Sequence, residues 1–454
     1  MQVLLISTYE LGHQPFGLAS PAAWIADSGH QVTCADLGVE PLNADRVREA
    51  DLIAFYLPMH TATRLATKVM EKVRGLNPAA HICCYGLYAP LNEAYLRGLG
   101  AGTILGGEFE PGLVSLLERL ATPGHEAQSE PLISLDRLQF RVPLRMGLPP
   151  LEKYARLQTG GSSKQVGYTE ASRGCKHLCR HCPVVPVYQG HFRVVQSDIV
   201  LADIRQQVAS GAGHITFGDP DFFNGPTHAM RLLDAFHREW PGVTYDATIK
   251  IEHLLKHRHL LPRLRETGCL FVTSAVEAVD DAVLAKLDKG HTRADFIQVV
   301  REFESAGLTL SPTFIPFTPW TTRESYRELL ELLVELELVE HVAPVQLALR
   351  LLIPGGSRLL ELEDVQAVIR EFDQPALLYR WQHPDLDVDA LAAQALRIAA
   401  SRGSRREIFG RLWNLVSDHP LPRSFQQPAQ AAIPHLDEPW YCCAEPTEEQ
   451  VAQV

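Results

Sequence analysis

The chain has 454 residues, of which 46% are apolar and 21% charged, a composition typical of a globular protein with two or three domains. Its formal net charge of −12 argues against long nucleic acids as substrates, so we expect a small molecule or a protein partner. No run of about 18 apolar residues occurs and the first residues lack the basic start of a signal peptide, so we expect a cytoplasmic protein with no membrane partner.

Residues 1–120 alternate apolar strand candidates with helical segments. The strand candidates are residues 2–7, 29–36, 51–56 and 81–86, and the helices are residues 22–28 and 62–74. This alternation predicts a Rossmann-like, doubly wound parallel sheet whose ligand binds at the carboxyl ends of the strands. The glycines at 98–102 do not complete a G-x-G-x-x-G pattern after the first strand, so a nicotinamide site is not expected.

The order of these elements resembles the cobalamin-binding domain found ahead of many radical enzymes. The Asp-x-His-x-x-Gly signature of that domain is absent, and Glu10, His13 and Gly17 form only a near match. The resemblance implies cobalamin as a further cofactor. The alternative is a sheet whose loops serve packing or bind a partner.

Residues 121–165 hold Pro, Gly and Ser with little periodicity and are interpreted as a linker. Strand candidates then recur at residues 167–171, 214–218, 244–250, 270–277, 309–314 and 345–350, several followed by helical patterns such as 202–209, 282–287 and 323–336. This rhythm predicts a partial (β/α)6 barrel over residues 166–360. Residues 361–454 are predicted to be mostly helical, with helices at 388–402 and 405–416.

Three cysteines lie on a short loop after the first predicted barrel strand. Cys175, Cys179 and Cys182 have the spacing C-x3-C-x2-C. Three thiolates on one loop can hold a 4Fe-4S cluster and leave one iron open for chemistry. The alternative is a structural zinc site that uses His177 or His181, although structural zinc normally takes two separated ligand pairs.

With this loop on the first barrel strand, residues 165–360 resemble the radical SAM superfamily. The resemblance implies that the open iron binds S-adenosylmethionine and that an electron, from a donor such as flavodoxin or ferredoxin, cleaves the sulfonium to give a 5′-deoxyadenosyl radical. It also implies roles in binding this cofactor for Gly218 and Asp219 after the second strand, for Glu277 at the end of the fourth, and for Lys289.

Several further candidates rest on strand position. Arg350 ends the last predicted strand, where it would face the site or cap the barrel through a salt bridge. His214, Asp246 and Glu252 lie at or near other strands, and their position alone makes them candidates.

A second unusual feature is the vicinal pair Cys442 and Cys443. Neighbouring Cα atoms lie about 3.8 Å apart, below the usual disulfide range of about 4.4–6.8 Å, so the pair is better suited to act as a nucleophile, a hydrogen-atom donor or a chelator of a soft ion. The tail Cys-Cys-Ala-Glu-Pro resembles that of a radical SAM group, some members of which carry selenocysteine there. The alternative is an inert terminus. Cys34, Cys83, Cys84 and Cys269 lie in predicted strands and are interpreted as core.

These patterns favour a radical SAM enzyme that modifies a small molecule, with methyl or other alkyl transfer suggested by the architecture and catalytic participation of Cys442 and Cys443 as a hypothesis. A second possibility is radical chemistry on an arsenic or selenium species held by the tail thiols. A transfer-RNA methylthiotransferase is disfavoured because Cys34, Cys83 and Cys84 are poorly spaced for another cluster and the terminus is acidic. From another class comes a zinc-stabilised binding protein without catalysis.

Overall fold

The first apolar runs form a parallel sheet in the computed structural model, which describes residues 1–122, 129–422, 425 and 433–438. The strand order is β2-β1-β3-β4-β5-β6. The order in which strands are added to the sheet reverses beside β1, as is typical of doubly wound sheets. The strands are β1 (Gln2–Ser7), β2 (Gln31–Asp36), β3 (Leu52–Tyr56), β4 (His81–Tyr85), β5 (Thr103–Gly107) and β6 (Ile133–Ser134).

Helices cover both faces of this sheet, which is why its central strands are apolar on both sides. The helices are α1 (Phe16–Asp27), α2 (Ala44–Glu49), α3 (His60–Leu76), α4 (Glu93–Gly98) and α5 (Glu110–Ala121). Cys83 packs in the core under α1 and α5, whereas Cys84 packs in the core under α3. Both are fully buried, as are nearly all atoms of Cys34 and Cys269, so the prediction that these four cysteines are core residues is confirmed.

A second, curled sheet carries the cysteine loop. Its order is β14-β13-β12-β11-β8-β7-β17, in which β8 and β11 to β14 run parallel and β7 and β17 extend the edge in antiparallel pairing. The strands are β7 (Arg156–Thr159), β8 (Ser162–Thr169), β9 (Ser172–Gly174), β10 (Phe192–Val194), β11 (His214–Phe217), β12 (Thr244–Thr248), β13 (Cys269–Glu277), β14 (Thr309–Phe314) and β17 (His435–Leu436). The predicted fold class, a Rossmann-like sheet followed by a partial barrel, is confirmed.

The helices of the barrel lie between successive strands. They are α6 (Val184–Tyr188), α7 (Ser197–Ala209), α8 (Pro226–Glu239), α9 (Ile251–Lys256), α10 (Leu261–Glu266), α11 (Asp281–Leu287), α12 (Arg293–Ala306) and α13 (Arg323–Glu335). The segment predicted as linker contributes β6, β7 and the first residues of β8.

The predicted sixth barrel strand at 345–350 is wrong. Residues Pro344–Leu347 form a 3-10 turn, and one isolated parallel bridge between Phe317 and Arg350 is all that remains of the pairing. Proline at the start of the turn has no N–H for a ladder. The amide oxygen of Gln346 instead accepts the N–H of Phe314 at the end of β14, where a sixth strand would have bonded.

After the barrel, the helices α14 (Glu363–Gln366), α15 (Leu386–Ala399) and α16 (Arg405–Val416) agree with the predicted helical segment. A hairpin of β15 (Ile369–Asp373) and β16 (Leu378–Trp381) was not expected there. Its turn reaches back to the first domain, where the His60 ring nitrogen Nε2 lies 2.7 Å from the carbonyl oxygen of Ala376.

Candidate active site

The cysteine loop begins where the first barrel strand ends. After β8, the short strand β9 pairs with β10 and leads directly into Cys175. Gly174 has a φ of +72°, and a Cβ there would lie 2.3 Å from the ring of Tyr188. Only glycine therefore fits the turn that aims the loop, which explains the glycine before the first cysteine.

The three loop cysteines are free thiols. Cys179 is buried, and Cys175 and Cys182 are partly buried. Burial raises the pKa of Cys175 to about 11, so its thiolate requires a compensating metal charge. The described residues contain one set of three metal-ligand side chains within 4.8 Å, and it does not include these cysteines. Their sulfur atoms are thus spread more widely than one zinc ion needs, which fits a multi-iron cluster.

That compact set is His177, Asp221 and His253, and it forms a chain of close polar contacts. His253 Nδ1 lies 2.6 Å from Asp221 Oδ2, His177 Nε2 lies 3.3 Å from His253 Nε2, and Lys250 Nζ lies 3.1 Å from His177 Nδ1. A neutral tautomer of each ring can place one N–H towards each acceptor along this chain. Because the Lys250 ammonium already occupies this end of the chain, we interpret the set as support for the cysteine loop.

Gly218 and Asp219 lie beside the start of the loop. The carboxylate of Asp219 accepts hydrogen bonds from the Ser172 hydroxyl at 2.5 Å and from the Ala171 N–H at 2.9 Å. Burial raises the pKa of Asp219 to about 7. A Cβ on Gly218 would lie 2.0 Å from the Tyr168 hydroxyl, so glycine is needed for this packing. The structure thus places both residues at the site, where Asp219 holds the turn before the cysteines.

Glu277 and Lys289 meet at the other side of the loop. Glu277 Oε1 lies 3.1 Å from His181 Nε2 and accepts a hydrogen bond from Lys289 Nζ at 3.5 Å. Burial alone would raise the pKa of Glu277, but Lys289 and His181 outweigh it and lower this pKa to about 2. The backbone of Glu277 has a φ of +71°, a conformation that non-glycine residues keep mainly at functional sites.

Arg350 lies elsewhere. Its guanidinium pairs with Asp389 at 2.6 Å and lies over the ring of Trp381, 3.7 Å from the centroid. It also donates to the carbonyl oxygen of Trp381. The structure therefore gives Arg350 the barrel-capping salt bridge and no place in the cavity wall.

The remaining candidates have structural partners. Asp246 Oδ1 accepts hydrogen bonds from Thr216 at 2.6 Å and lies 2.9 Å from His214 Nε2, a fully buried pairing across two strands. Glu252 accepts from Lys250 at 3.1 Å and is 42% exposed. Of these three candidates, Asp246 lines the cavity described next.

A cavity of about 680 Å³ lies between the carboxyl ends of the two sheets. Cys182, Gly218, Asp219 and Glu277 contribute to its barrel wall. The opposite wall comes from the loops after β1, β3 and β4, at the switch point where doubly wound sheets bind ligands. Its size suits an organic cofactor or substrate, and the cysteine loop reaches this site through Cys182, so the site is shared by both domains.

Sequence reasoning named Glu10 only as part of a near match and missed Arg173 altogether. Glu10, after β1, lines the cavity, is 6% exposed, and its Oε2 has no hydrogen-bond partner among the described residues. Burial raises its pKa well above the usual range. Arg173, two residues before Cys175, is buried against Glu108, Glu110 and Glu170. The position of Arg173 immediately before the cysteine motif was the available signal.

The tail pair Cys442 and Cys443 lies outside the described residues. The segment just before it is anchored at the cavity. Residues 435–438 all line the cavity wall, and β17 pairs with β7. The Tyr9 hydroxyl donates to Glu438 Oε1 at 2.8 Å, which ties the end of the described chain to the first domain.

Comparison with known proteins agrees with this geometry. The pattern of the Radical SAM superfamily matches residues 169–333. The chain is 25% identical over 325 residues to the hopanoid C-3 methylase of Methylococcus capsulatus, a match that spans 68% of this chain and 62% of that protein. It is 26% identical over 205 residues to the tRNA-2-methylthio-N(6)-dimethylallyladenosine synthase of Bordetella petrii, but there the match spans only 42% of the relative.

Solved structures share the fold. The radical S-adenosylmethionine methyltransferase TsrM from Kitasatospora setae, with tryptophan and a SAM analogue bound, superposes with a TM-score of 0.60 at 16% identity, over 74% of this chain and 71% of its own. The cobalamin-dependent enzyme OxsB, with aqua-cobalamin and S-adenosylmethionine bound, gives 0.65 at 12% identity, over 87% and 66%.

No helix of the described chain is both long and apolar enough to cross a bilayer. The cysteine loop at the head of a partial barrel, the strained Glu277 beside it and the matching superfamily pattern all lie within residues 169–333. Residues 169–333 are thus a radical SAM domain, within a chain that spans about three fifths of the length of the methylase relative.

Proposed function

We propose that this enzyme reductively cleaves S-adenosylmethionine at a 4Fe-4S cluster held by Cys175, Cys179 and Cys182, and that it modifies a small molecule in the shared cavity. The observation that carries the proposal is the loop of three free, widely spread thiols, with Cys182 in the cavity wall. The bound cluster supplies one electron to the sulfonium of S-adenosylmethionine. We place the enzyme in the reducing cytoplasm, where such thiols persist.

Four cavity residues support binding of S-adenosylmethionine. Gly218 leaves the strand end open, and Asp219 fixes the turn before the cysteines. Glu277, held ionised by Lys289, offers a carboxylate to a hydroxyl or ammonium group of the cofactor. Arg350, engaged with Asp389, has no such support.

We propose methyl or other alkyl transfer as the reaction, with cobalamin bound on the side of the first domain. Three similar proteins support this proposal: the hopanoid C-3 methylase, the methyltransferase TsrM and the cobalamin-dependent enzyme OxsB. Within the chain, support comes from the cavity at the switch point and from Glu10, whose buried, unpartnered oxygen suits a hydrogen bond to an amide side chain of a corrin ring. His13 is packed against the Tyr168 ring at 4.7 Å, with its pKa lowered to about 4 by burial.

The tail thiols are proposed to act at the same cavity. From Glu438, four residues reach Cys442, a span of at most about 15 Å at about 3.8 Å per residue. Since residues 435–438 line the cavity, this short sequence separation supports the proposal that the tail thiols act on a bound substrate. An arsenic or selenium species held by these thiols is the second candidate function that this anchoring favours.

The test uses anaerobically reconstituted protein with dithionite and S-adenosylmethionine. We expect about four irons per chain and formation of 5′-deoxyadenosine or S-adenosylhomocysteine, with both lost in Cys182→Ala. Iron binding without any cleavage would contradict the proposal. Whether cobalamin co-purifies with the protein, as measured by its absorbance, tests the proposed binding of cobalamin by the first domain.

Arsenite titration separates the second candidate. We expect Cys442→Ser/Cys443→Ser to lose any arsenite-dependent product while cleavage of S-adenosylmethionine persists. If arsenite and selenite leave the wild type and this variant equally unaffected, the soft-element function is excluded.

A further inference from the structure

The outer surface of the cysteine loop carries an apolar and a cationic side chain, although the chain as a whole is acidic. Cys179 is 7% exposed, but its neighbour Leu178 is 44% exposed and Lys176 is also exposed. The loop thus turns its cysteines inward and presents one apolar side chain and one cation to solvent. A protein that delivers an electron cannot enter the cavity, so it has to approach across this outer surface.

A run of basic residues lies beside the loop. This run starts at the last residue of α9 and comprises Lys256-His257-Arg258-His259. All four side chains are exposed or partly exposed. The run is held against the loop through a line of rings, with His177 4.6 Å from His253 and His253 6.0 Å from His257 between centroids. Lys176, Lys256, Arg258 and His259 together are called the cationic face.

The charges of this face are concentrated and mostly unpaired. Within the described ranges, Lys256 and Arg258 form no salt bridge, and Lys176 contacts only Asn224. Burial, followed by the positive charges of His253, Lys256, His259 and Lys176, lowers the pKa of His257, which shows that these groups lie close together.

The acidic groups near the loop, Glu252, Glu361 and Asp288, each lie beside a cation, and Asp288 Oδ2 is 3.8 Å from Arg358 Nη1. Glu252 pairs with Lys250 at 3.1 Å. Arg358, which donates to the carbonyl oxygen of Leu178, pairs with Glu361 at 3.1 Å. In a chain of net charge −12, a cluster of exposed cations beside a loop that exposes Leu178 is a departure that fits a partner of opposite charge.

We propose that the cationic face, together with the exposed Leu178 of the adjoining loop, is the docking surface of an acidic one-electron carrier protein. This inference rests on the proposed function, since it assumes a cluster that must be reduced. One electron passes from the reduced carrier to the oxidised cluster, so that the carrier loses one electron and the cluster gains it. Charge complementarity steers the encounter of the two proteins.

The test measures binding and reduction separately, with fully reduced flavodoxin as the probe and the cluster-loaded enzyme as the target. In Lys256→Glu/Arg258→Glu we expect the Kd for flavodoxin to rise about tenfold or more at low ionic strength, and the rate of cluster reduction by flavodoxin to fall comparably. Lys256→Gln/Arg258→Gln should give an intermediate effect. Cleavage driven by dithionite, which needs no docking, should stay within about twofold of the wild type.

The matched control is Lys68→Glu/Arg402→Glu, which makes the same change of net charge at exposed positions on α3 and before α16. It should bind flavodoxin nearly as the wild type does. Equal losses in both charge-reversal variants, or a loss in neither, would overturn the docking surface. Failure of dithionite to drive cleavage in the wild type would instead refute the proposed function and leave the Kd comparison valid.

Discussion

At the scale of single residues, Glu277 does most to shape the site. It combines a left-handed backbone, burial and two cationic or polar partners, and such strain persists only where the surroundings enforce it. Sequence could place Glu277 at a strand end near the loop. It could not show that His181, inside the cysteine motif, would bond to it, because this contact joins residues 96 positions apart.

We expect Glu277→Gln to destabilise the apo-protein by about 3 kcal/mol, because it leaves the Lys289 ammonium buried without its counter-ion. Urea unfolding at pH 7 measures the change. The second substitution in Glu277→Gln/Lys289→Met should recover at least half of the loss, and additive losses would contradict the pairing.

The same carboxylate predicts a pH dependence. Because the folded chain lowers the pKa of Glu277 from 4.5 to about 2, its stabilising contribution is complete above pH 4.5 and disappears as the pH falls towards 2. The difference in unfolding free energy between wild type and Glu277→Gln should therefore shrink below pH 4.5. A constant difference from pH 7 to pH 3 would show that the charge is not responsible.

At the scale of elements, the apolar parallel strands of both sheets could be predicted from the sequence. The polar strands at the edge of the curled sheet could not. The strand β3 is buried on both faces, so its sequence is continuously apolar. An apolar run alone does not distinguish a strand from a buried turn, which is why residues 345–350 were misassigned. The edge strands β7 and β17 carry polar residues and pair across almost 280 positions, so no local pattern indicates them.

The edge strand β17 depends on Asp437. Its carboxylate accepts the Arg156 N–H at 2.7 Å and the Gln158 amide at 3.1 Å. We expect Asp437→Ala to weaken this attachment by about 1 kcal/mol, roughly a fivefold rise in local opening. Limited proteolysis should release the C-terminal peptide correspondingly faster. The exposed Asp418→Ala serves as control, and equal release rates in the two variants would disprove the anchoring.

At the scale of the whole molecule, buried ion pairs lock the first domain onto the barrel. Arg173, from the barrel, forms two hydrogen bonds to Glu110 at the start of α5 and contacts Glu108 at 3.3 Å. Arg145 pairs with Asp203 and also bonds to Gln14 of the first domain. These contacts fix the two walls of the cavity relative to each other.

Arg173→Met should loosen this junction, because it leaves three carboxylates buried without a cation at a cost of about 3–5 kcal/mol. We expect a lower thermal midpoint and a larger radius of gyration in X-ray scattering. Arg173→Lys should restore little, since an ammonium cannot form the two parallel bonds to Glu110. Arg119→Met, which removes the Glu130 pair, is the control and should leave the radius unchanged.

The cavity between the sheets also limits how this enzyme can diverge. Its walls come from two domains, with Glu10 on one side and Glu277 on the other. A recombination event that exchanged one domain would replace one wall of the cavity. The wall from the other domain would stay unchanged and would no longer match it. New substrates are therefore reached by paired substitutions across the junction, and the two domains have to be inherited as one unit.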